Sequence, residues 1–357
     1  MESTPTSVEI DGSLGEGGGQ MLRSSLSLSN ILGIPFSMDR IRARRQKTGL
    51  RPQHLTAVEA SARLCGGHVE GAEVGASRIH YSPNHLPFGE HFIDIGTAGA
   101  TSLLLHALYY PMAWSDQGGV LRLAGGTHVD KAPTFDYLNN VWAPMIRVCG
   151  MDVSLRLHRH GFYPRGGGLI EATIPSKQRP QSFRYEQRPD LDRISILALF
   201  GQPPEQKRPS NGLTPVAQRM GNAAQELLHQ LGFRASFLCS EPDALCVGAV
   251  CHVICHFGPL RAGFTAWGWK GRPAEQVGAE AAALAAQFLR SEAVVDEWMA
   301  DQLLLPLALA QGPSVFLAPQ RTGHLLTNAD IIMSFLPHVS ISIESDTRGL
   351  QRVEIRP

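Results

Sequence analysis

Apolar and polar positions along the chain fall into a recurring order of short strands and amphipathic helices. Residues 8–11 read as a strand running into Gly12-Ser-Leu-Gly-Glu-Gly-Gly-Gly19, after which Met21, Leu22, Leu26, Leu28 and Ile31 recur at helical spacing over 20–32. A strand over 36–41, a basic stretch, a helix over 52–65 and two strands at 68–74 and 78–82 complete the set. The order is strand, helix, strand, helix, strand, strand. It recurs with a strand at 92–95, a helix reaching residue 110, a strand at 120–124, a helix over 133–148 and strands at 152–157 and 168–174. A third set is read in 294–310, 314–318, a helix over 327–335 and paired strands at 339–344 and 350–355. Residue identity between the copies is low, so the repeat is one of pattern. Between the second and third sets lies a different rhythm. A polar stretch at 177–192 and a Pro/Gly/Ser-rich loop at 201–212 are followed by helices at 215–231 and 274–289 around strands at 234–240, 249–257 and 263–269. The expectation is an α/β (α+β) fold: a domain of three βαβαββ repeats, 1–185 and 289–357, interrupted by a smaller domain at 186–288.

The chain has 357 residues, enough for about two domains at roughly 150 residues each. With 43% hydrophobic residues disorder is excluded as the main state, and 32 basic against 32 acidic residues exclude a global charge argument for nucleic-acid binding. Any basic surface must be local. Residues 1–5 show neither a basic nor an apolar leader region, and no later stretch holds about 18 uninterrupted apolar residues, so a cytoplasmic protein without a membrane partner is expected. Six cysteines, four of them between Cys239 and Cys255, are too sparse for a disulfide framework and read as reduced thiols.

Several segments carry candidate chemistry. Gly17, Gly18 and Gly19 ahead of a helix let free amides and the positive helix end approach an anion, although a glycine turn joining strand to helix accounts for them equally. Glu16 within that loop and Arg23 one turn into the helix sharpen the phosphate reading, because a carboxylate beside a phosphate needs a divalent cation between them. Six cations without an acid (Arg40, Arg42, Arg44, Arg45, Lys47 and Arg51) precede Gln53-His54, a footprint for an RNA or nucleotide backbone whose plain alternative is a solvated basic face. Arg156, His158, Arg159, His160 and Arg165 form a second patch, with a strand edge and hairpin as its alternative. Cys251 and Cys255 sit four apart in an apolar strand, about 13 Å distant, and no CxxC pair exists, so zinc is not expected. Near the C-terminus His324 follows Gly323 just before a helix; alone, such a histidine is most often a packing residue. Asp296, Trp298, Asp301 and Gln302 put polar groups around an aromatic ring at helical spacing, a weak sign of a nucleotide pocket.

Taken together, Gly15-Glu-Gly-Gly-Gly-Gln20 with Leu22-Arg23, Ile41-Arg42, Gln53-His-Leu-Thr-Ala57, Gly71-Ala-Glu73, Gly125-Gly-Thr127, His160-Gly-Phe-Tyr-Pro164 with Gly166-Gly-Gly168, Ala300-Asp-Gln-Leu303 and His324-Leu-Leu-Thr-Asn328 resemble, over nearly the whole length, the RNA 3'-terminal phosphate cyclase family. The resemblance implies repeats like those of the C-terminal domain of translation initiation factor 3, with a thioredoxin-like insert. It also implies the use of ATP and Mg or Mn to turn an RNA 3'-phosphate into a 2',3'-cyclic phosphate. By the same resemblance His324 matches the nucleophile that takes AMP and Glu16 the metal-proximal acid. Arg23, Arg42 and Gln53 match phosphate and active-site contacts, while His106, Pro133, Trp298, Asp301 and Gln302 fall in the nucleotide set. Trp298 stands where tyrosine is usual and His106 where glutamine is usual; the ring still stacks, whereas His106 changes a nucleotide contact. Two rival readings share the fold: a catalytically inactive cyclase-like protein of ribosome assembly, and a transferase of the enolpyruvyl type. The intact His324 segment, with Glu16 and Arg23, weighs against the first, and the room for only one multi-repeat domain against the second. RNA preference and oligomeric state stay open.

Overall fold

The computed structural model describes residues 6–207 and 214–357. The leader reading at 1–5 and the 208–212 part of the loop read at 201–212 lie outside the described residues.

Three four-stranded sheets share one wiring. In the first, β1 (Val8–Asp11) lies parallel to β2 (Phe36–Asp39), with β4 (Ile79–Ser82) and β3 (His68–Glu70) antiparallel beyond it. Helices α1 (Gly19–Leu32) and α2 (Pro52–Leu64) supply the crossovers. The second uses β5 (Gly89–Asp94), α3 (Thr101–Trp114), β6 (Gly119–Gly125), α4 (Phe135–Tyr137), α5 (Ala143–Val148), β7 (Ser154–Arg159) and β8 (Gly168–Ile174) in the order β5-β6-β8-β7. A fourth four-stranded sheet is wired differently.

The third copy departs from the sequence reading. It opens not at residue 294 but at the strand β9 (Arg184–Tyr185), parallel to a strand at Ser314–Ala318 far along the chain. A two-residue strand inside a polar stretch leaves no alternation to detect, which is why periodicity passes over it. The fourth sheet therefore interrupts the third copy after its first strand. It contains β10 (Arg193–Gly201), β11 (Ala235–Ser240), β12 (Gly248–Phe257) and β13 (Leu260–Gly268), flanked by α6 (Val216–Gln230) and α7 (Ala274–Arg290). The third copy then resumes with α8 (Glu297–Gln302), α9 (Leu304–Ala308), β14 (Ser314–Ala318), α10 (Gly323–Phe335), β15 (Ser340–Ser345) and β16 (Gln351–Arg356), in the sheet order β15-β16-β14-β9.

Smaller differences have local causes. The strand read over 36–41 ends at Asp39 because Arg40 and Arg42 take positive φ values of 52° and 55° and turn the chain. The helix read over 133–148 starts at Phe135, where the Thr134 hydroxyl accepts the Tyr137 amide at 3.1 Å, and residues Leu138–Trp142 widen into a π turn. Cys251 and Cys255 are buried in β12 and their thiols are pushed up to about 12 by burial, as inert strand residues should be.

Helix α1 is the centre of the assembly. Its buried serines are small enough to let helices approach and each finds an acceptor: Ser27 donates to the Ala107 carbonyl of α3 at 3.0 Å, and Ser24 to the Asn328 side chain of α10 at 2.6 Å. Packing α1 between α3 and α10 brings the N-termini of α1 and α10 to one place. Among the described residues no helix is long and apolar enough to cross a membrane.

Candidate active site

Two segments more than 300 residues apart in sequence meet at the start of α1. The Glu16 amide donates to the Thr327 hydroxyl at 3.0 Å, and the Glu16 carboxylate Oε2 lies 2.7 Å from His324 Nδ1. His324 Nδ1 also meets the Gln20 side-chain oxygen, while Gln20 Nε2 donates to Asp301 Oδ2 at 2.9 Å. Asn328 Nδ2 in turn donates to the Asp301 carbonyl at 2.7 Å. The imidazole thus faces two side-chain oxygens with its Nδ1, those of Gln20 and Glu16, which assigns the ring hydrogen to Nδ1 and leaves Nε2 with its lone pair.

The glycines matter here by their lack of side chains. A Cβ on Gly19 would sit 2.4 Å from His54 Nε2 and 3.0 Å from Arg23 Nη1, and one on Gly15, where φ is +54°, would sit 2.1 Å from the Thr327 hydroxyl. Only glycine lets the loop close on both the α2 histidine and the α10 threonine.

Beside this contact opens a cavity of about 500 Å³. Arg23, His106, Pro133, Trp298, Asp301, Gln302 and His324, all singled out from sequence, line it. Asp296 caps α8 by accepting the Trp298 and Met299 amides at 3.1 and 2.8 Å, and it also accepts the Tyr137 hydroxyl at 2.8 Å and the Gly263 amide at 3.0 Å. That one carboxylate ties α4, the fourth sheet and α8 together and sets Trp298 at the cavity wall. Its burial pushes it up to about 6 against those four donors.

The electrostatics follow from burial. Arg23 is enclosed by protein at the cavity wall, which pulls its guanidinium down to about 10 while Asp301 and Glu16 oppose the shift. Burial pushes Asp301 up to about 7, the Gln20 hydrogen bond and Arg23 opposing. His324 is lowered from the usual imidazole value, first by burial, with Glu16 raising it and Arg23 and Arg45 lowering it. The net result is a neutral ring at pH 7. His106 is driven down to about 3 by burial and Arg23, and its buried Nε2 has no protein partner; Gln302 Oε1 is likewise unpaired. Unpaired polar atoms on a cavity wall are places for a ligand.

Glu16 Oε2 is buried and accepts no well-aligned hydrogen bond despite its 2.7 Å approach to His324 Nδ1. An under-coordinated carboxylate oxygen beside a glycine loop at a helix N-terminus fits a hard divalent cation.

Part of the basic stretch has partners within the protein. Arg44 Nη1 donates to the Gly15 carbonyl at 3.1 Å, Arg45 pairs with Glu16, and Arg42 Nη1 donates to the Lys47 and Gly49 carbonyls at 2.7 and 3.4 Å. Arg44 and Arg45 brace the glycine loop, while Arg42 holds the turn at residues 47–49. Arg51 precedes α2 as its N-cap. Gln53 faces a separate, smaller hollow behind Arg23, where its Oε1 accepts the Ala100 amide at 3.4 Å, so it is brought near the site but not into the main cavity.

A family model described as RNA 3'-terminal phosphate cyclase matches residues 14–342. The chain is 37% identical over 352 residues to an RNA 3'-terminal phosphate cyclase of Ralstonia nicotianae, covering 98% of this chain and 97% of that protein. It is 35% identical over 361 residues to that of Methylococcus capsulatus (99% and 98% covered) and 38% identical over 339 residues to that of Koribacter versatilis (95% and 92% covered). The chain belongs to the RNA 3'-terminal phosphate cyclase family. Membership assigns it as an enzyme of that class, an RNA-processing ligase.

Several cyclase-site residues carried no role in the sequence reading. Gln20 links His324 to Asp301, Thr327 and Asn328 fix α10 against the loop, and His54 fills the space beneath Gly19. Lys131, Tyr137, Thr265 and Trp267 join the cavity lining, the last two from the fourth sheet. Gln20 and Asn328 lay inside the resembling motifs, so their positions were visible but not their work. Nothing in the polarity pattern could have assigned β13 residues to this cavity.

Proposed function

We propose that this cyclase converts an RNA 3'-terminal phosphate into a 2',3'-cyclic phosphate with ATP, through AMP carried covalently on His324. The observation that carries the reading is the contact of the N-terminal glycine loop with His324 at the rim of one cavity. His324 Nε2, free and uncharged, attacks the α-phosphorus of ATP; Gln20 Oε1, accepting the Nδ1 hydrogen, and the nearby Glu16 carboxylate steady the positive charge that develops on the ring. The amides of the glycine loop at the N-terminus of α1, with Arg23, offset the charge that builds on the departing pyrophosphate. Glu16 would hold a divalent ion, Mg or Mn, which when bound would neutralise phosphate charge. Trp298 offers an aromatic face to the adenine, while Asp301, Gln302 and His106 supply polar contacts to the nucleotide.

The RNA 3'-phosphate then takes AMP from His324, and the imidazole recovers its lone pair as the N–P bond breaks. In the resulting anhydride AMP is a good leaving group. The neighbouring 2'-hydroxyl displaces it, losing its proton to a base as the P–O bond to AMP breaks, at an effective molarity of about 10⁵ M or more, so the protein need supply mainly positioning and a base. In the same reading residues 1–185 and 289–357 are the catalytic domain, 186–288 an inserted domain contributing Thr265 and Trp267 to the wall, and the enzyme works in the cytoplasm.

The test is incubation with α-labelled ATP and Mg followed by denaturation. Acid-labile, alkali-stable label on the chain is expected, and none on His324→Ala. Label persisting on that variant would refute the nucleophile; no label on the wild type would favour a binding role without catalysis.

A further inference from the structure

A second constellation lies beside the cavity. His128 Nε2 lies 2.8 Å and His252 Nε2 3.7 Å from the same oxygen, Asp136 Oδ2, and the three ligand atoms are all within 4.8 Å of one another. His128 follows β6, Asp136 sits in α4 and His252 is in β12, so the cluster forms only when the fourth sheet docks against the second. Both imidazoles are buried, with side-chain exposures of 0% and 3%. Their remaining nitrogens meet hydroxyls: His128 Nδ1 lies 2.8 Å from Thr127 Oγ1, and His252 Nδ1 2.9 Å from Thr265 Oγ1. His160 stacks on His128 with centroids 5.3 Å apart.

We propose that His128, Asp136 and His252 form a binding site for one divalent transition-metal ion of the zinc class, with a fourth position for water. Two imidazoles and a carboxylate are a ligand set suited to zinc. The threonine hydroxyls act as outer partners that take the Nδ1 hydrogens and aim each Nε2 lone pair at the common point. Four ligands at about 2.0–2.1 Å from an ion stand about 3.3 Å apart, so the change needed is a widening of the His128–Asp136 contact and a small closing of His252. Without an ion His252 Nε2 is weakly held: among the described residues its hydrogen-bonding neighbour is the Thr134 hydroxyl at 3.4 Å, near the long limit for such a bond, and the same oxygen accepts the Tyr137 amide at 3.1 Å. None of the cysteines takes part, so the site is distinct from the zinc reading that the Cys239–Cys255 stretch fails to support. Its effect is mechanical. The ion joins the segment carrying Lys131 and Pro133 to the sheet carrying Thr265 and Trp267, pinning two walls of the cavity to each other.

The full-length protein is stripped with a chelator and titrated with Zn²⁺ by calorimetry and with Co²⁺ by absorption. One equivalent is expected in the wild type and in His324→Ala, with visible d–d bands of a tetrahedral nitrogen/oxygen site and no intense thiolate charge-transfer band. His252→Gln should lose affinity about 100-fold or more, and Thr265→Val, which removes only an outer partner, about 10-fold. Should His252→Gln lose its native circular dichroism, Thr265→Val and the wild-type cobalt spectrum decide. No binding in the wild type, a thiolate band, loss of the equivalent in His324→Ala, or unchanged affinity in Thr265→Val overturns the site.

Discussion

Asp301 gives the sharpest test of the site's electrostatics, because burial has moved its carboxyl from 3.8 up to about 7. The folded protein therefore binds a proton there that the unfolded chain releases above about pH 4. Between those two values the native state holds more protons, so stability falls as pH rises and the loss is complete above the folded value. A shift of about three units corresponds to about 4 kcal/mol, of which about 3 kcal/mol is lost between pH 5 and pH 8. Asn in place of Asp301 removes the titration yet keeps an oxygen for the Gln20 hydrogen bond. Denaturant unfolding of wild type and Asp301→Asn at both pH values isolates the effect, since other titrating groups cancel in the comparison. The variant should gain about 3 kcal/mol more over wild type at pH 8 than at pH 5. Adenylylation should fall at both. An identical stability difference at the two pH values would refute the argument that the carboxyl is buried without full compensation.

The other expectations concern the loop, the cavity and the nucleophile. Gly19→Ala pushes a methyl into His54 Nε2, a buried group that cannot yield, and should cost about 1–3 kcal/mol in denaturant unfolding while slowing adenylylation by displacing the helix terminus. A stable, fully active Gly19→Ala would show the loop is looser than its contacts imply. His106→Leu removes the unpaired Nε2 from the cavity wall and should weaken ATP binding about tenfold by calorimetry with little loss of stability; equal affinity would remove His106 from the nucleotide set. Because His324 is lowered from its ordinary value of 6.5, its neutral form persists on acidification, and the acid limb of single-turnover adenylylation should have its midpoint below that value. A midpoint at or above 6.5 would refute the burial of the ring.

By itself the sequence determined most of the elements and the chemistry they carry. The spacing of Met21, Leu22, Leu26 and Leu28 specified α1, the alternation at 168–174 specified β8, and the glycine run before Gln20 marked the turn from strand to helix, because these signals are local. The motif around His324 named a nucleophile only through resemblance, since an isolated histidine before a helix carries no such meaning. What tertiary structure decided were the meetings. Arg184 and Tyr185 became a strand only because β14 lies beside them; Arg44 and Arg45 were brought against Gly15 and Glu16; His252 was drawn from an apolar strand to Asp136. The pKa values of Asp301, His106 and Arg23 were likewise set by enclosure, not by sequence neighbours. Periodicity records which face of an element is buried, whereas partners hundreds of residues away are chosen by packing, and no local pattern encodes that choice.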